Sequence, residues 1–321
     1  MTTRPIWKSF SAERHGSLVA LAALAFASAV MSPHFLQMQN ILNILRQVSY
    51  TGIIALGMTY VIFGGGIDLS VGSLSAFAGA LGVLAMNHLS AAGKPDSLGV
   101  AAAALVALAV GGAGGALNGF IVTKGRIAPF IVTLGTMAIF RSLTLYMGDA
   151  GEFTSSNQLY SDIGSASWFL VPVPVWVFAL LAAGFSLLLT RTRYGRYVRA
   201  VGSNQRVALY SAIDVDSVRL RTYLITGLVV GVSALLISMR FNAVGSSTLG
   251  INYELDAIAA VIIGGTAMAG GSGTIWGTVV GAVILGVINN MLNLVGVSPY
   301  LQGTVKGLVI ICAVLIQRRR N

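Results

Sequence analysis

Long apolar runs follow one another along almost the whole chain and are interrupted only by short polar segments. Charged residues make up 9% of the 321 residues, whereas soluble domains carry about 25%. The runs are continuous instead of alternating, which favours transmembrane helices over a β-barrel. Because a helix needs about 20 apolar residues to cross a bilayer, the apolar length predicts about ten transmembrane helices. We therefore expect an all-α integral membrane protein, with residues 1–321 forming a single transmembrane domain.

The largest polar island, residues 191–221, determines the expected orientation. It contains seven of the twenty Lys and Arg residues, and cytoplasmic loops beside membrane spans carry the excess of basic residues. Fifteen of the twenty basic residues fall on the same predicted side as this island, the exceptions being Arg46, Lys94, Arg141, Arg240 and Lys306. Both termini are therefore expected to be cytoplasmic. We attribute the net charge of +10 to topology and anionic lipid, not to nucleic acid binding.

The predicted spans alternate in direction across the membrane. Their approximate bounds are 17–36, 48–63, 69–89, 98–122, 127–147, 171–190, 222–241, 255–270, 275–293 and 301–316. Between the first two spans, residues 37–47 are expected to form a short helix at the membrane surface. An even number of spans brings the C-terminus back to the cytoplasmic side.

No motif for catalysis, a metal or a nucleotide is present in the sequence. The three histidines are scattered along the chain, and no metal-ligand spacing or nucleophile motif occurs. The phosphate-binding pattern G-x-x-x-x-G-K-S/T is also absent. We therefore expect neither an enzyme nor a cofactor site in this chain.

Asp68 is the most unusual acidic residue, because it lies in the segment GGGIDLSVGS between two apolar runs. A carboxylate at membrane depth is costly and usually has a function. One interpretation is that Asp68, helped by Ser70, accepts backbone N–H groups at the start of the third span. The other is that it contacts a transported solute, and the two interpretations are compatible.

Three further residues are candidates for a translocation pathway or gate. Glu254 and Asp256 are predicted at the outer start of the eighth span, where acidic residues either complement the helix dipole or contact an external partner. Phe130 either packs within the fifth span or stacks on a sugar ring.

A faint repeat links two of these segments. The stretches GGGIDLSVGSLSAFAGALG and NYELDAIAAVIIGGTAMAGG both place an acidic residue at a helix start, followed by small and apolar residues. In the predicted layout the two helices run in opposite directions. This arrangement is typical of inverted repeats in transporters, and it would match spans two to five with spans seven to ten.

The second half of the polar island, SNQRVALYSAIDVDS, is predicted to form a short helix capped by Ser203 or Asn204. It is either an ordinary surface helix or an amphipathic helix that docks on a soluble partner. The residues expected at such a contact are Ser203, Asn204, Arg206, Ala208, Tyr210, Ile213 and Asp214.

Four stretches resemble the permease subunits of ribose-type monosaccharide ABC importers. They are NILRQVSYTGIIALGMTYVI with GGGIDLSVGS, then TRYGRYVRAVGSNQ, then YELDAIAAVIIGGTAMAGGSGTIWGT, and finally NNMLNLVGVSPYLQGTVKGLVI. The resemblance implies a multi-pass protein of the bacterial inner membrane. It also implies a second permease copy, a cytoplasmic ABC ATPase that binds the ATP, and a periplasmic sugar-binding protein.

The same resemblance identifies the segment from Ser203 to Asp216 as a coupling helix that fits a cleft on the ATPase. One departure lies within it, because the family commonly has a glycine where this chain has Ala212 before Ile213. The implied substrate is a monosaccharide, either ribose or a related sugar.

An ion-coupled secondary sugar transporter is the alternative, and the possible inverted repeat with a broken helix at Asp68 motivates it. Few ionisable residues lie deep in the spans, which disfavours this alternative. A membrane scaffold or enzyme is a third possibility, but no titratable cluster supports it.

Overall fold

The computed structural model describes residues 7–318, so the basic residues Arg4, Arg319 and Arg320 used to orient the termini lie outside the described part. The helices are α1 Trp7–Met31, α2 Met38–Phe63, α3 Val71–Ala91, α4 Asp96–Lys124, α5 Pro129–Met147, α6 Gln158–Ser165, α7 Val173–Arg191, α8 Arg193–Ser203, α9 Gln205–Tyr210, α10 Val215–Phe241, α11 Tyr253–Ile263, α12 Ile275–Leu294 and α13 Pro299–Arg318. Four short strands accompany them, namely β1 Glu152–Thr154, β2 Ser167–Trp168, β3 Val171–Pro172 and β4 Ala243–Gly245.

Seven of the helices in the described part are long and apolar enough to cross a membrane, namely α2, α3, α4, α5, α7, α10 and α12. Their length and composition confirm the predicted class of a helical membrane protein. Most of α2 and α10 is buried inside the protein, whereas α5 and α7 expose most of their surface. The central helices are therefore α2 and α10, and the peripheral ones face the surroundings that lipid would fill.

The N-terminal part of α2 differs from the prediction of a separate surface helix over residues 37–47. One continuous helix runs from Met38 to Phe63, a length of about 39 Å. Its polar start is accommodated because the Asn40 side chain exchanges two amide hydrogen bonds, of 3.1 and 2.7 Å, with Asn290 of α12. A polar residue near the start of an apolar helix therefore marks a helix–helix contact here.

The eighth predicted span, 255–270, is too long. Helix α11 has eleven residues and ends at Ile263, so it covers about 16 Å, roughly half of a bilayer core. Gly264 follows it and packs directly on the backbone of Gly277 in α12. Gly265 then adopts a left-handed conformation with φ of 88°, which stops the helix.

Small residues let the central helices approach closely. Gly111 and Gly115 of α4 lie against the backbone of Gly227 in α10, and Gly231 of α10 lies against the backbone of α4. A Cβ atom at any of these positions would meet backbone atoms of the facing helix. Such close backbone contact is typical of small residues between membrane helices.

A small polar layer covers the ends of the helices opposite to α8. Strand β1 pairs antiparallel with β4, and the Tyr160 hydroxyl of α6 lies 2.7 Å from the Ser238 hydroxyl of α10. Burial raises the pKa of Tyr160 to about 12, so the phenol stays protonated at physiological pH. This layer fixes the position of the chain between α10 and α11.

Candidate functional site

The break between α2 and α3 contains a buried polar cluster around Asp68. One carboxylate oxygen of Asp68 accepts hydrogen bonds from the Ser70 backbone N–H at 2.9 Å and the Ser70 hydroxyl at 2.7 Å. The Asn118 amide of α4 donates to the same Ser70 hydroxyl at 2.8 Å. Asp68 is 1% exposed, and its other carboxylate oxygen has no hydrogen-bond partner. The carboxylate therefore closes a turn just before α3, in the manner of an Asx turn.

Neighbouring helices hold this break in place through its backbone. The carbonyl of Ile67 accepts a hydrogen bond from the Tyr223 hydroxyl of α10 at 3.2 Å. Thr133, the fifth residue of α5, also points its hydroxyl towards the same carbonyl, at 3.5 Å. Irregular backbone within a membrane protein needs such internal partners. Asn118 was not among the residues selected from the sequence, because an amide within an apolar run gives no sign of its partner.

Two substitutions of Asp68 distinguish its role as a hydrogen-bond acceptor from a role that requires its negative charge. We expect Asp68→Asn to fold normally and to keep transport close to wild type, because the amide oxygen can accept both bonds from Ser70. We expect Asp68→Leu to lower the free energy of unfolding by about 1–3 kcal/mol, because it leaves the Ser70 N–H unsatisfied. Thermal unfolding of the purified variants and uptake assays check both. A folded Asp68→Asn protein with no transport would show that the charge itself is required.

A second break precedes α11 and touches the first. The backbones of Gly72, in the first turn of α3, and Gly250 are so close that a Cβ at either would collide with the other. Arg141 of α5 donates two hydrogen bonds of 2.8 Å to the carbonyls of Ser246 and Leu249. Its guanidinium therefore provides hydrogen-bond donors to two carbonyls in the loop between β4 and α11.

The candidate acidic residues of α11 lie beside this second break. Asp256 accepts a hydrogen bond of 3.0 Å from the Lys306 ammonium of α13, and the two side chains are 13% and 21% exposed. Lys306 is seven residues beyond Pro299, or about 10 Å along α13. Glu254 is half-buried, and its carboxylate approaches Gly72. The two breaks therefore bring Glu254 close to the start of α3.

The other pathway candidate, Phe130, lies apart from these groups. It belongs to the first turn of α5 and is 54% exposed. The buried pair of Asp68 and Ser70 faces inward. The structure thus does not bring Phe130 together with the polar cluster.

The polar island forms two short helices followed by the start of α10. Thr192 caps α8 by accepting from the Gly195 N–H at 3.1 Å. Asn204 caps α9 by accepting from the N–H groups of Arg206 and Val207 at 3.0 and 3.2 Å. Asp214 caps α10 by accepting from the Ser217 N–H at 3.0 Å. The candidate contact residues are therefore distributed between the caps and the surface of α9.

Helix α9 exposes large side chains on its surface. Tyr210 is 90% exposed, and Arg206, Val207 and Leu209 are exposed beside it. Only Ala208 of this helix is buried. Exposed apolar groups among polar ones on a short helix are typical of a protein contact.

The backbone at the end of α9 explains why a glycine is common in the family at the position of Ala212. The N–H groups of Ala212 and Ile213 donate to the carbonyls of Leu209 and Ala208, at 3.0 and 3.1 Å. This is the Schellman arrangement, in which the residue after the helix adopts a left-handed conformation. Ala212 does so with φ of 59°, a conformation that costs a residue with a Cβ about 1–2 kcal/mol. Ile213 is half-buried beside it.

The end of α8 is packed into a junction of three backbones. Gly202 touches the carbonyl of Phe63, the last residue of α2, and the N–H of Gly271 in the loop after α11. Gly271 donates a hydrogen bond of 3.1 Å to the same Phe63 carbonyl. Ser203 in turn lies against Gly271. We call this contact between Gly202, Phe63 and Gly271 the glycine junction. The sequence contains these glycines but no sign that they meet.

Comparisons with known proteins agree on the class of the chain. Residues 40–314 match the family model described as branched-chain amino acid transport system / permease component. The ribose import permease protein RbsC of Bacillus subtilis is 39% identical over 96% of this chain and 94% of its own length. The corresponding protein of Escherichia coli is 41% identical over 95% and 94%.

The D-allose transport system permease protein AlsC of Escherichia coli is 38% identical over 95% of this chain and 92% of its own length. No solved structure matches the chain. The relatives are membrane components of transport systems and are not enzymes. The chain therefore belongs to the permease component family of these import systems, whose members are integral membrane subunits.

Proposed function

We propose that this chain forms the membrane pathway of an ATP-driven importer for ribose or a closely related monosaccharide. The observation that carries the proposal is the identity of about 40%, over nearly the full chain, to ribose import permeases. The chain is also similar to permeases named for D-allose and L-arabinose. This similarity supports aldoses as the broader class of substrates. The family description names amino acid transport, so the choice of a sugar rests on these relatives.

In this proposal, α1, α11 and α13 complete the seven longer helices to ten membrane segments, with both termini cytoplasmic. Helices α2 to α5 and α10 to α13 then form two inverted repeats. The similar placement of the two helix breaks supports this, since one precedes α3 and the other precedes α11. The contact between Gly72 and Gly250 joins the two breaks. A second permease copy completes the pathway.

The energy comes from a cytoplasmic ATPase that binds the ATP, and the substrate from an external sugar-binding protein. Helix α9 docks on the ATPase through its exposed surface around Tyr210. ATP binding and hydrolysis move α9, and the adjacent α8 transmits this motion. The glycine junction supports such transmission, because it joins α8 directly to the end of α2 and to the loop after α11.

Transport by the purified components tests the proposal. We expect the chain, reconstituted in liposomes with its ATPase and binding protein, to accumulate labelled ribose only when ATP is supplied. Unlabelled ribose, allose and arabinose should be compared as competitors, with leucine as the control for amino acid transport. Competition by leucine alone would reassign the substrate to amino acids. Uptake that persists without ATP but collapses with an ion gradient would favour the secondary transporter.

A further inference from the structure

A cavity of about 360 Å³ lies between α2, α10, α11, α12 and α13. Its size falls at the lower end of the range of small-molecule sites. Its lining combines apolar side chains with a group of polar and charged ones, which includes Arg46, Tyr50, Arg240, Asp256, Asn289 and Lys306. A lining of this polarity is unusual among apolar helices and indicates a hydrophilic ligand.

Three basic residues that the topology leaves unexplained meet in this cavity. Arg46, Arg240 and Lys306 fall outside the cytoplasmic flanks, yet all three contribute to one lining. Charged side chains within membrane segments are costly, and they commonly face a water-filled cavity or a solute path. Lys306 is paired with Asp256, so the lining presents an acidic group as well as basic ones.

Several lining groups are buried without hydrogen-bond partners within the part of the chain that the structure describes. They are Arg46 Nε, the Tyr50 hydroxyl and Asn289 Oδ1. Tyr50 as a whole is 5% exposed. An arginine Nε–H donates, an amide oxygen accepts, and a phenol does both. Unsatisfied buried polar groups cost free energy, so three of them around one cavity point to a bound partner.

The cavity lies at the end of the bundle opposite to α9. We call the segment from Ser203 to Asp216, which contains α9, the coupling segment. Arg240 is 25 residues beyond Val215, or about 38 Å along α10 from this segment. With α9 on the cytoplasmic side, the cavity belongs to the outer half of the membrane region. A ligand delivered from outside therefore reaches it before the buried cluster at Asp68.

We propose that this cavity binds the sugar in transit, through hydroxyl groups that both donate to and accept from its lining. This inference rests on the proposed function. A neutral sugar fits the mixture of donors and acceptors, because each hydroxyl can pair with either kind. The Asp256 carboxylate is a good acceptor for sugar hydroxyls, and the basic side chains of the lining donate to them.

Two substitutions remove single polar groups with little change in volume, namely Tyr50→Phe and Asn289→Leu. The first removes an unpaired hydroxyl and keeps the ring. Asn293→Leu is the matched control, because Asn293 is exposed one turn further along α12 and pairs with Gln302 instead of lining the cavity. All variants are compared as complete permease–ATPase complexes in liposomes.

We expect each cavity substitution to reduce the sugar transported per ATP hydrolysed about fivefold, as the loss of one hydrogen bond predicts. Stimulation of the ATPase by the loaded binding protein should stay at the wild-type level, because α9 and the glycine junction are unchanged. The Asn293→Leu control should transport normally. Normal sugar yield per ATP in the double variant Tyr50→Phe, Asn289→Leu would overturn the inference.

A second measurement does not depend on transport. We expect a high concentration of ribose to raise the thermal unfolding midpoint of the wild-type and Asn293→Leu complexes but not of the double variant. Stabilisation by ribose 5-phosphate without any by ribose would overturn the assignment to neutral sugars. If the wild-type complex transports no sugar with ATP, the proposed function fails, whatever the cavity variants do.

Discussion

Replacing Gly202 by alanine is expected to reduce sugar uptake to below a tenth of the wild-type rate. The added Cβ would collide with the Phe63 carbonyl and approach the Gly271 N–H. Both are backbone atoms, so neither can move aside like a flexible side chain. The end of α8 must therefore shift, and the hydrogen bond between Gly271 and Phe63 is lost. Uptake in liposomes measures the effect directly.

Gly184→Ala in α7 is the matched control, because a Cβ there meets nothing within 4 Å. It should insert, fold and transport like the wild type. The yield of correctly inserted protein and its binding to the ATPase separate a broken transmission from a failure to fold. We expect Gly202→Ala to keep ATPase binding through α9 while losing transport. Normal uptake by an inserted Gly202→Ala protein would refute the role of the glycine junction.

The second large effect is expected at α9. Substitution of Tyr210 or Leu209 by glutamate should weaken ATPase binding at least about thirtyfold, the loss typical of a residue that dominates a protein interface. The reason is that a carboxylate would be buried without a partner against the ATPase surface. Transport should then disappear, because motion of the ATPase no longer reaches α8. Co-purification of the ATPase with the tagged permease provides the measurement.

Tyr146→Glu is the control for this experiment. Tyr146 is 86% exposed and therefore as accessible as Tyr210, but it lies near the end of α5, away from the coupling segment. Its substitution introduces the same charge and should leave ATPase binding intact. Arg206→Glu tests whether a charged contact contributes on the same helix. Retention of the ATPase by both Tyr210→Glu and Leu209→Glu would disprove the docking assignment.

The sequence predicts the full-length membrane helices well but does not predict where a helix is interrupted. Helices α3, α4, α5, α7, α10 and α12 follow from apolar runs of sufficient length, because a membrane helix satisfies its own backbone. The early end of α11 does not follow from hydropathy, since the residues after Ile263 remain small and apolar. It depends on a left-handed Gly265 and on packing against α12. Hydropathy thus predicts a full span where the structure has half of one.

Some residues of the candidate sites could likewise be selected from the sequence, and others became apparent only in the structure. The coupling segment could be selected from the sequence because a basic, polar segment between apolar runs must lie outside the membrane. Asp68 could be selected because a carboxylate within a glycine-rich break is rare. Asn118, Tyr50 and Asn289 could not, since an amide or phenol on an apolar helix is uninformative until its neighbours are known. Arg46, Arg240 and Lys306 were visible only as exceptions to the charge distribution.

By itself, the sequence determined that this chain is a helical membrane protein and which class of permease it resembles, and it predicts the side that the polar island faces. These properties depend on composition and local pattern, because the bilayer requires long apolar helices and the cytoplasmic side attracts basic residues. Only the tertiary structure decided that Gly202 meets Phe63 and Gly271, and that three basic residues share one cavity. These contacts join residues far apart in the chain, and helix packing, not local propensity, determines them.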